Sequence, residues 1–303
     1  MSKSIIPELV AAASDRRSFI KKIGMATAAV GALSVAEPHA AEAQSTGPTA
    51  TEIAVLNFAL NLEYLEAEFY TYGKFGYGIE RAGIGTNGVA NGANPPGGGT
   101  TTGGSKVTFS NNLVFTQQIL HQIGSDERAH VVLLRSFLGA RAIAKPNINL
   151  NALGIGFHNE NEYLTLSRIF EDIGVSAYGG GAHLLSTPIV IQTAARILAA
   201  EAEHVSTVRT QIARLNIPSP ILDGADIVPP PTGSQIQYLS INPSNGLPAI
   251  RSVTQVLHLA YGGTGLIQGG FFPTGVNGSF SGTPSSAAAT AANLGTMPPG
   301  FAS

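Results

Sequence analysis

The sequence contains no cysteine and no tryptophan, and only 12% of its 303 residues are charged. Without cysteine, disulfides, iron–sulfur clusters, zinc fingers and thiol catalysis are excluded. The formal net charge of -2 comes without a basic patch, which argues against a nucleic-acid partner held through phosphate contacts. Any bound metal must therefore be held by histidine and carboxylate side chains, and the positions of the scarce carboxylates become informative.

Long apolar runs are missing as well. After residue 43, no segment reaches the ~18 unbroken apolar residues that are typical of a membrane-spanning helix. We therefore expect the mature protein to have no membrane partner.

The N-terminal segment resembles a twin-arginine export signal. Arg16 and Arg17 stand in the run Ser-Asp-Arg-Arg-Ser-Phe-Ile-Lys-Lys at residues 14–22, and a weakly apolar stretch and Ala-Ala-Glu-Ala follow, ending at Ala43. The Ala-x-Ala pattern predicts that residues 1–43 are a cleaved signal peptide and that the mature protein is periplasmic or extracellular. The alternative is an ordinary amphipathic first helix. Because the twin-arginine pathway moves folded cargo, it suits a protein that takes up its cofactor before export.

Helix signals divide the rest of the chain into four long helices and a short one. A capping box at Thr49 and Glu52 begins the first helix, which we expect to end near Gly73. Thr187 and Pro188 begin the fourth helix, which continues to about residue 215. The second and third helices are predicted at about 110–137 and 159–182, and the short helix at about 248–261.

The connections between the helices are rich in glycine and proline. Residues 73–106 contain 12 glycines, which predicts a long, mobile connection whose residues 85–104 hold neither a metal ligand nor a core residue. Residues 140–158 are expected to form a crossover, and no alternating pattern supports a sheet of any size. The predicted fold is all-α: a four-helix bundle over residues 44–216, then a Pro/Gly-rich extension over residues 217–303.

Each long helix places one glutamate on its apolar stripe, where a bundle normally has leucine. In the fourth helix, Ala194, Ile197 and Val208 lie on the same face as Glu201. Two of the helices add a histidine three residues after the glutamate, on the same face. The six side chains are Glu63, Glu127, His130, Glu171, Glu201 and His204.

Two explanations of these stripe carboxylates compete. Buried ion pairs, or faces wrongly assigned to the interior, would need basic partners, but Arg168 is the only candidate near the stripes and cannot neutralise four charges. Two divalent ions can do so, with the histidines as neutral ligands. Only about 0.3 Glu-x-x-His matches are expected by chance for this composition, and two occur. The pattern therefore favours metal binding.

Helical phase distinguishes other polar residues near the stripes from the six candidate ligands. Tyr70 and Tyr178 each follow a stripe glutamate by seven residues, and we expect them to hydrogen-bond ligand carboxylates without binding metal themselves. An electron-relay role is the alternative for both. Glu66 lies about 60° off the stripe of Glu63 and is expected at a helix interface or beside the ligands. Glu203 points away from the stripe of its helix and is expected to be solvated.

This combination resembles the ferritin-like di-metal carboxylate superfamily, in which two helices supply a glutamate each and two supply Glu-x-x-His. Three segments further resemble its desiccation-related branch: Asn-Leu-Glu-Tyr-Leu-Glu-Ala-Glu-Phe-Tyr at 61–70, Asp-Glu-Arg-Ala-His at 126–130, and Gly-Gly-Phe-Phe-Pro-Thr-Gly-Val-Asn-Gly at 269–278. The resemblance covers about residues 50–280. It implies that the metal ligands are Glu63, Glu127, His130, Glu171, Glu201 and His204.

Three functional hypotheses follow from the stripes and the resemblance. The first is an exported redox protein whose di-iron or di-manganese centre reacts with dioxygen or hydrogen peroxide in stress protection, as an oxidase, peroxidase or catalase-like enzyme. The second is a non-catalytic desiccation- or stress-related protein with a structural metal site. The third is iron storage in a homo-oligomeric shell. The long Gly-rich insertion departs from the compact bundles of iron-storage ferritins and disfavours the third hypothesis.

We expect export to depend on Arg16 and Arg17. Replacing both with Lys should leave full-length precursor in the cytoplasm, whereas the intact signal should give a product that begins near Gln44. Cell fractionation with N-terminal sequencing measures both outcomes. Normal export and trimming of the double-Lys variant would refute the twin-arginine hypothesis.

Overall fold

The computed structural model describes residues 47–89 and 97–287. Its α-helices, in chain order, are α1 (Ala50–Phe75), α2 (Val114–Leu138), α3 (Glu160–Gly181), α4 (Pro188–Arg214) and α5 (Val253–Tyr261). Single 3₁₀ turns lie at Asn111–Leu113, Gly139–Arg141 and Ala182–Leu184. Two short strands, β1 (Thr101–Thr102) and β2 (Ile148–Asn149), pair in parallel.

Helix α1 packs along α2, and α3 packs along α4, with the link between α2 and α3 as the crossover. This arrangement confirms the predicted all-α four-helix bundle. None of the helices in the described ranges is both long and apolar enough to cross a bilayer. The predicted signal peptide at residues 1–43 lies outside the described residues.

The capping residues determine where the helices begin and end more accurately than the composition of the flanking segments does. The predicted capping box of α1 is present, with Thr49 N–H donating to Glu52 Oε2 at 2.8 Å. Helix α1 continues past the predicted end at Gly73 to Phe75, because the left-handed residue that ends it is Gly76, with φ of 77°. The short helix begins later than predicted, at Val253, because Ser252 is its N-cap.

Helix α1 lies at the centre of the fold, and every residue from 56 to 71 is buried. The apolar stripe of α1 explains the burial of only the face that packs against the other bundle helices. The C-terminal extension covers the opposite face. Asn61 Nδ2 donates to the carbonyl of Asn277 and Asn61 Oδ1 accepts from its N–H, both at 2.9 Å. Phe58 packs edge-on against Phe280, with ring centroids 5.6 Å apart. Residues 217–287 thus contribute to the same core as the bundle.

The expectation that residues 85–104 are mobile is wrong for the part that the structure describes, although the hydrophobic core cluster of the described residues includes none of them. Val89 N–H donates to the carbonyl of Ala142 at 2.9 Å, and Gly99 N–H donates to that of Lys145 at 2.7 Å. Strand β1 pairs with β2 of the crossover. At Gly99 a Cβ would lie 2.3 Å from the backbone carbon of Pro146, so glycine permits close backbone approach here. None of the described residues in this stretch is a candidate metal ligand.

A buried ion pair fixes this insertion to the bundle. Lys145 and Glu68 of α1 are paired, and both side chains are almost completely buried. Thr101 Oγ1 donates to Glu68 Oε1 at 2.8 Å, and Lys145 Nζ donates to Thr101 Oγ1 at 3.0 Å. The first residue of β1 is therefore a hydrogen-bonding partner of both charges. Buried charges of this kind require such partners.

A second polar junction joins the start of α1 to the start of α4. Besides capping α1, the buried carboxylate of Glu52 accepts N–H bonds from Ser186 at 2.7 Å and from Thr187 at 2.6 Å. Thr187 Oγ1 also donates to it at 2.7 Å. Burial opposes ionisation, but the hydrogen bonds from Thr187, Ser186 and Thr49 lower the pKa of Glu52 to about 2. One carboxylate therefore satisfies orphan donors at two helix N-termini.

We expect Glu52→Gln to destabilise the protein by about 2 kcal/mol at pH 7, because charge-assisted hydrogen bonds are lost. The folded-state pKa is depressed, so this contribution is fully present above about pH 4.5 and is lost as the pH falls toward 2. Denaturant unfolding of both proteins between pH 7 and pH 3 should show their stabilities converging. An unchanged difference at pH 3 would contradict this account, and Glu203→Gln at an exposed position serves as the control.

Candidate metal centre

The structure brings together all six side chains that the sequence predicts as ligands. Helix α1 supplies Glu63 and α3 supplies Glu171, while α2 and α4 each supply a glutamate and a histidine. All four carboxylates have 0% relative exposure, and the two histidines are also buried. The six residues are Glu63, Glu127, His130, Glu171, Glu201 and His204.

These residues form two overlapping groups of four. One group is Glu63, Glu127, His130 and Glu201, and the other is Glu127, Glu171, Glu201 and His204. Within each group, one ligand atom per residue lies within 4.8 Å of all the others. Glu127 and Glu201 belong to both groups, so their carboxylates lie between the two. Each group could hold one cation, and Glu127 and Glu201 would be available to both.

The histidines have equivalent places at the two ends of the cluster. His130 Nδ1 lies 3.2 Å from Glu63 Oε2, 3.3 Å from Glu127 Oε2 and 3.4 Å from Glu201 Oε1. His204 Nδ1 lies 2.9 Å from Glu127 Oε1 and 3.3 Å from Glu171 Oε2. The ring centroids are 6.1 Å apart. Both imidazoles therefore present the same nitrogen to the carboxylates.

Despite these short separations, the converging atoms do not hydrogen-bond. Buried polar groups are almost always hydrogen-bonded. The buried atoms of the cluster that have no hydrogen-bond partner among the described residues are Glu63 Oε2, Glu127 Oε1 and Oε2, His130 Nδ1, Glu171 Oε2, Glu201 Oε1 and Oε2, and His204 Nδ1. These atoms lie close together but are poorly oriented for hydrogen bonds to one another. Metal ligands are arranged in this way, because they converge on a common point. The residues present therefore fit a pair of cations.

The electrostatics of the cluster point the same way. Burial raises the pKa of Glu63 to about 7, against the opposing effect of His130. Burial and the neighbouring Glu127 raise the pKa of Glu201 well above its usual range. Burial lowers the pKa of His204, but the carboxylates of Glu171 and Glu127 have the larger combined effect and raise that pKa to about 12. Without cations, the cluster retains protons to limit its negative charge, so metal binding must release protons.

Arg168 does not contribute to this neutralisation. It is the basic residue nearest to the stripes in sequence, one turn before Glu171, but its guanidinium pairs with Asp172 and Asp226. Arg209 also pairs with Asp172, at 2.9 Å. These buried charges balance one another where α3 and α4 meet the C-terminal extension.

Tyr70 and Tyr178 hydrogen-bond the end carboxylates in a crossed pattern. Tyr70 of α1 donates to Glu171 Oε1 of α3, and Tyr178 of α3 donates to Glu63 Oε1 of α1, both at 2.5 Å. Each tyrosine thus serves the glutamate of the other helix, which requires α1 and α3 to run antiparallel. The second oxygen of each glutamate lacks a hydrogen bond and remains free to bind a cation.

Glu66 lies closer to the cluster than its helical phase suggests. Its side chain is only 3% exposed, and burial together with Glu201, Glu127, Glu171 and Glu63 raises its pKa well above the usual range. A Cβ added to Gly174 would lie 2.5 Å from Glu201 Oε2 and 3.2 Å from Glu66 Oε1. The missing side chain of Gly174 therefore leaves the space that these two carboxylates occupy. The spacing Glu63-x-x-Glu66, equal to that of Glu127 and His130, is the sequence signal for it.

Asp126 was not singled out by the sequence patterns. Its Oδ2 lies 3.4 Å from His204 Nε2, the ring nitrogen that faces away from the cluster. Partners of this kind orient metal-binding histidines. Residue 200, the equivalent of Asp126 before the second Glu-x-x-His, is an alanine. Among the described residues, no carboxylate pairs with His130 Nε2, so the two halves of the cluster are not equivalent.

Comparison with known proteins agrees with the fold. The family profile described as "Ferritin-like domain" matches residues 51–214, more than half of the chain. The chain therefore belongs to the family of proteins with a ferritin-like domain. Among curated proteins, it is similar to desiccation-related protein PCC13-62 of Craterostigma plantagineum, with 26% identity over 176 residues. That alignment covers 52% of this chain and 52% of the relative, so the chain spans about half the length of this relative.

We expect Glu127→Ala to reduce bound metal more strongly than Glu63→Ala, because Glu127 belongs to both groups and Glu63 to one. Both proteins should also melt at a lower temperature than the wild type, because a ligand is lost and a cavity is left. Elemental analysis after reconstitution with iron or manganese, together with thermal unfolding, measures these effects.

The matched control is Glu203→Ala on the same helix as Glu201, at an exposed position. It should retain the metal content and melting temperature of the wild type. Loss of metal in Glu203→Ala together with full retention in Glu201→Ala would mean that the assigned inward face of α4 is wrong.

Proposed function

We propose that the protein binds two transition-metal ions, iron or manganese, and carries out redox chemistry with dioxygen or hydrogen peroxide as part of a stress response. The observation that carries this proposal is the convergence of unpartnered carboxylate and imidazole atoms from four helices in a fully buried cluster. Four carboxylates supply a charge of -4, which two divalent ions balance.

In this proposal, His130 and Glu63 are the end ligands of one ion, and His204 and Glu171 are those of the other. Glu127 and Glu201, which belong to both groups, would help to hold both ions. Mixed imidazole and carboxylate ligands suit iron and manganese, whereas a site for calcium or magnesium would offer oxygen atoms alone.

When bound, a pair of such ions can exchange electrons two at a time with dioxygen or peroxide. The side chains around them have separate tasks. Tyr70 and Tyr178 hold Glu171 and Glu63 in place by donating hydrogen bonds to them. Burial and the neighbouring carboxylates raise the pKa of Glu66 well above its usual range, which suits this carboxyl to holding a proton beside Glu201. The apolar residues of the four helices limit the access of water.

One observation connects the proposal with stress: the similar protein of Craterostigma plantagineum carries the name desiccation-related. We also infer export through the twin-arginine pathway to the periplasm or the cell exterior, based on Arg16 and Arg17.

A structural metal site is the second candidate function, and the same name favours it, since it describes a circumstance and not a reaction. In that case the ions would only stabilise the bundle. Iron storage in a homo-oligomeric shell would additionally require a large assembly, which native mass measures.

We expect the metal-loaded protein to consume hydrogen peroxide or dioxygen faster than the same concentration of free metal, because the ions are held in pairs and kept from precipitating. An oxygen electrode and a peroxide assay measure this, with the metal-free protein and Glu127→Ala as controls. Full metal loading without consumption of either oxidant would overturn the redox proposal and leave the structural one. Absence of bound metal would overturn both.

A further inference from the structure

A cavity of about 290 Å³ lies beside the candidate metal centre. Its walls come from α1, the end of α3, α4, the start of α5 and the C-terminal extension. Two neighbouring cavities have volumes of only about 20 Å³ each. The inner wall includes Leu56, Ala59 and Leu62 of α1 and Ala194 of α4. The mouth is formed by exposed residues, among them Leu184.

Tyr178 connects this cavity with the metal centre. Its side chain lines the cavity, and its hydroxyl donates to Glu63 Oε1 at 2.5 Å. A molecule in the cavity would therefore be separated from a ligand carboxylate by a single tyrosine side chain. Tyr70, the equivalent tyrosine on the other side of the cluster, packs instead against Phe69 and Tyr163. The two sides of the centre thus differ in what lies behind the tyrosine.

Size and lining define the kind of molecule that fits. An apolar cavity of about 150 Å³ is enough to bind benzene, so this cavity has about twice that room. Phe58 and Phe280, which pack edge-to-face, line it together with Tyr178. Aromatic rings make favourable edge and face contacts with such walls. A molecule with two fused rings matches both the volume and the lining.

The polar groups of the cavity indicate that this molecule is uncharged. His183 lies among the exposed residues of the lining, with its Nδ1 2.9 Å from the carbonyl oxygen of Gly180. Arg251 also lines the cavity, but its guanidinium is committed to Asp223 and Ser176 through three hydrogen bonds of 2.8 Å, made by Nε, Nη1 and Nη2. It therefore offers no free charge for an anion. Ser252 and Thr254 contribute hydroxyl groups to the lining. A hydroxyl on the ligand would find partners there.

We propose that this cavity is a binding site for an uncharged two-ring aromatic molecule carrying a hydroxyl group. Binding requires no metal. Only its coupling to the centre through Tyr178 and Glu63 rests on the proposed function.

The test uses 2-naphthol as the ligand and the full mature chain as the protein. Because the chain has no tryptophan, naphthol fluorescence can be followed without that background, and calorimetry gives the stoichiometry. We expect one molecule bound per chain in the metal-free protein. Ala194→Leu should weaken binding at least tenfold by filling the cavity, and Ala195→Leu, at an exposed position one residue away, should leave it unchanged.

Cavity-filling variants often retain their fold, and the melting temperature of Ala194→Leu checks this. If that variant unfolds, Ala59→Leu, which fills the cavity from α1, takes its place. Absence of naphthol binding, or equal binding by the wild type and the filled variants, would overturn the proposal. The proposal would also be overturned if only a chain shortened to end at residue 287 bound naphthol. In that case the removed segment would occupy the cavity in the full chain.

A separate measurement addresses coupling to the metal. If the proposed function is correct, naphthol should change the absorption spectrum of the iron-loaded wild type, and Tyr178→Phe should reduce that change. Binding without any spectral change would leave the binding site intact and overturn its coupling to the centre.

Discussion

The mutual repulsion of four buried carboxylates in the middle of a helical bundle is the constraint on which the rest of the structure depends. Each buried charge costs several kcal/mol unless it is compensated. Two tyrosine hydroxyls satisfy one oxygen each on Glu63 and Glu171, but both oxygens of Glu127 and of Glu201 have no hydrogen-bond partner within residues 47–89 and 97–287. Arg168 is committed elsewhere. What remains is a demand for positive charge at the cluster, which is why we propose that a pair of cations binds there.

Holding six ligand side chains from four helices in place requires those helices to be fixed at other points. Glu52 joins the N-terminus of α1 to that of α4. Asn61 exchanges two hydrogen bonds with Asn277 of the C-terminal extension, on the side of α1 that faces away from the cluster. The ion pair of Glu68 and Lys145 attaches the crossover and the insertion to α1. The segments outside the bundle thus support the helix that lies at its centre, and a rigid centre of this kind suits precise metal binding.

The sequence predicts features that depend on residues within one helix better than features that depend on contacts between helices. The four long helices and the six candidate ligands follow from local periodicity, because a glutamate at a leucine position shows within one helix. The crossed tyrosine bonds do not, because they depend on the relative register of α1 and α3. Helical phase puts Glu66 off the stripe of Glu63. Its carboxylate reaches Glu201 because Gly174, on another helix, leaves space for it. Glycine in the insertion indicated mobility, although at Gly99 it serves close packing; composition alone cannot separate these two uses.

The most direct test of the central claim is anomalous X-ray diffraction from crystals of the protein loaded with iron or manganese, recorded at the absorption edge of the metal. Our account predicts two peaks inside the bundle, one between Glu63 and His130 and the other between Glu171 and His204, with the carboxylates of Glu127 and Glu201 between them. A single peak, or peaks confined to the protein surface, would contradict it.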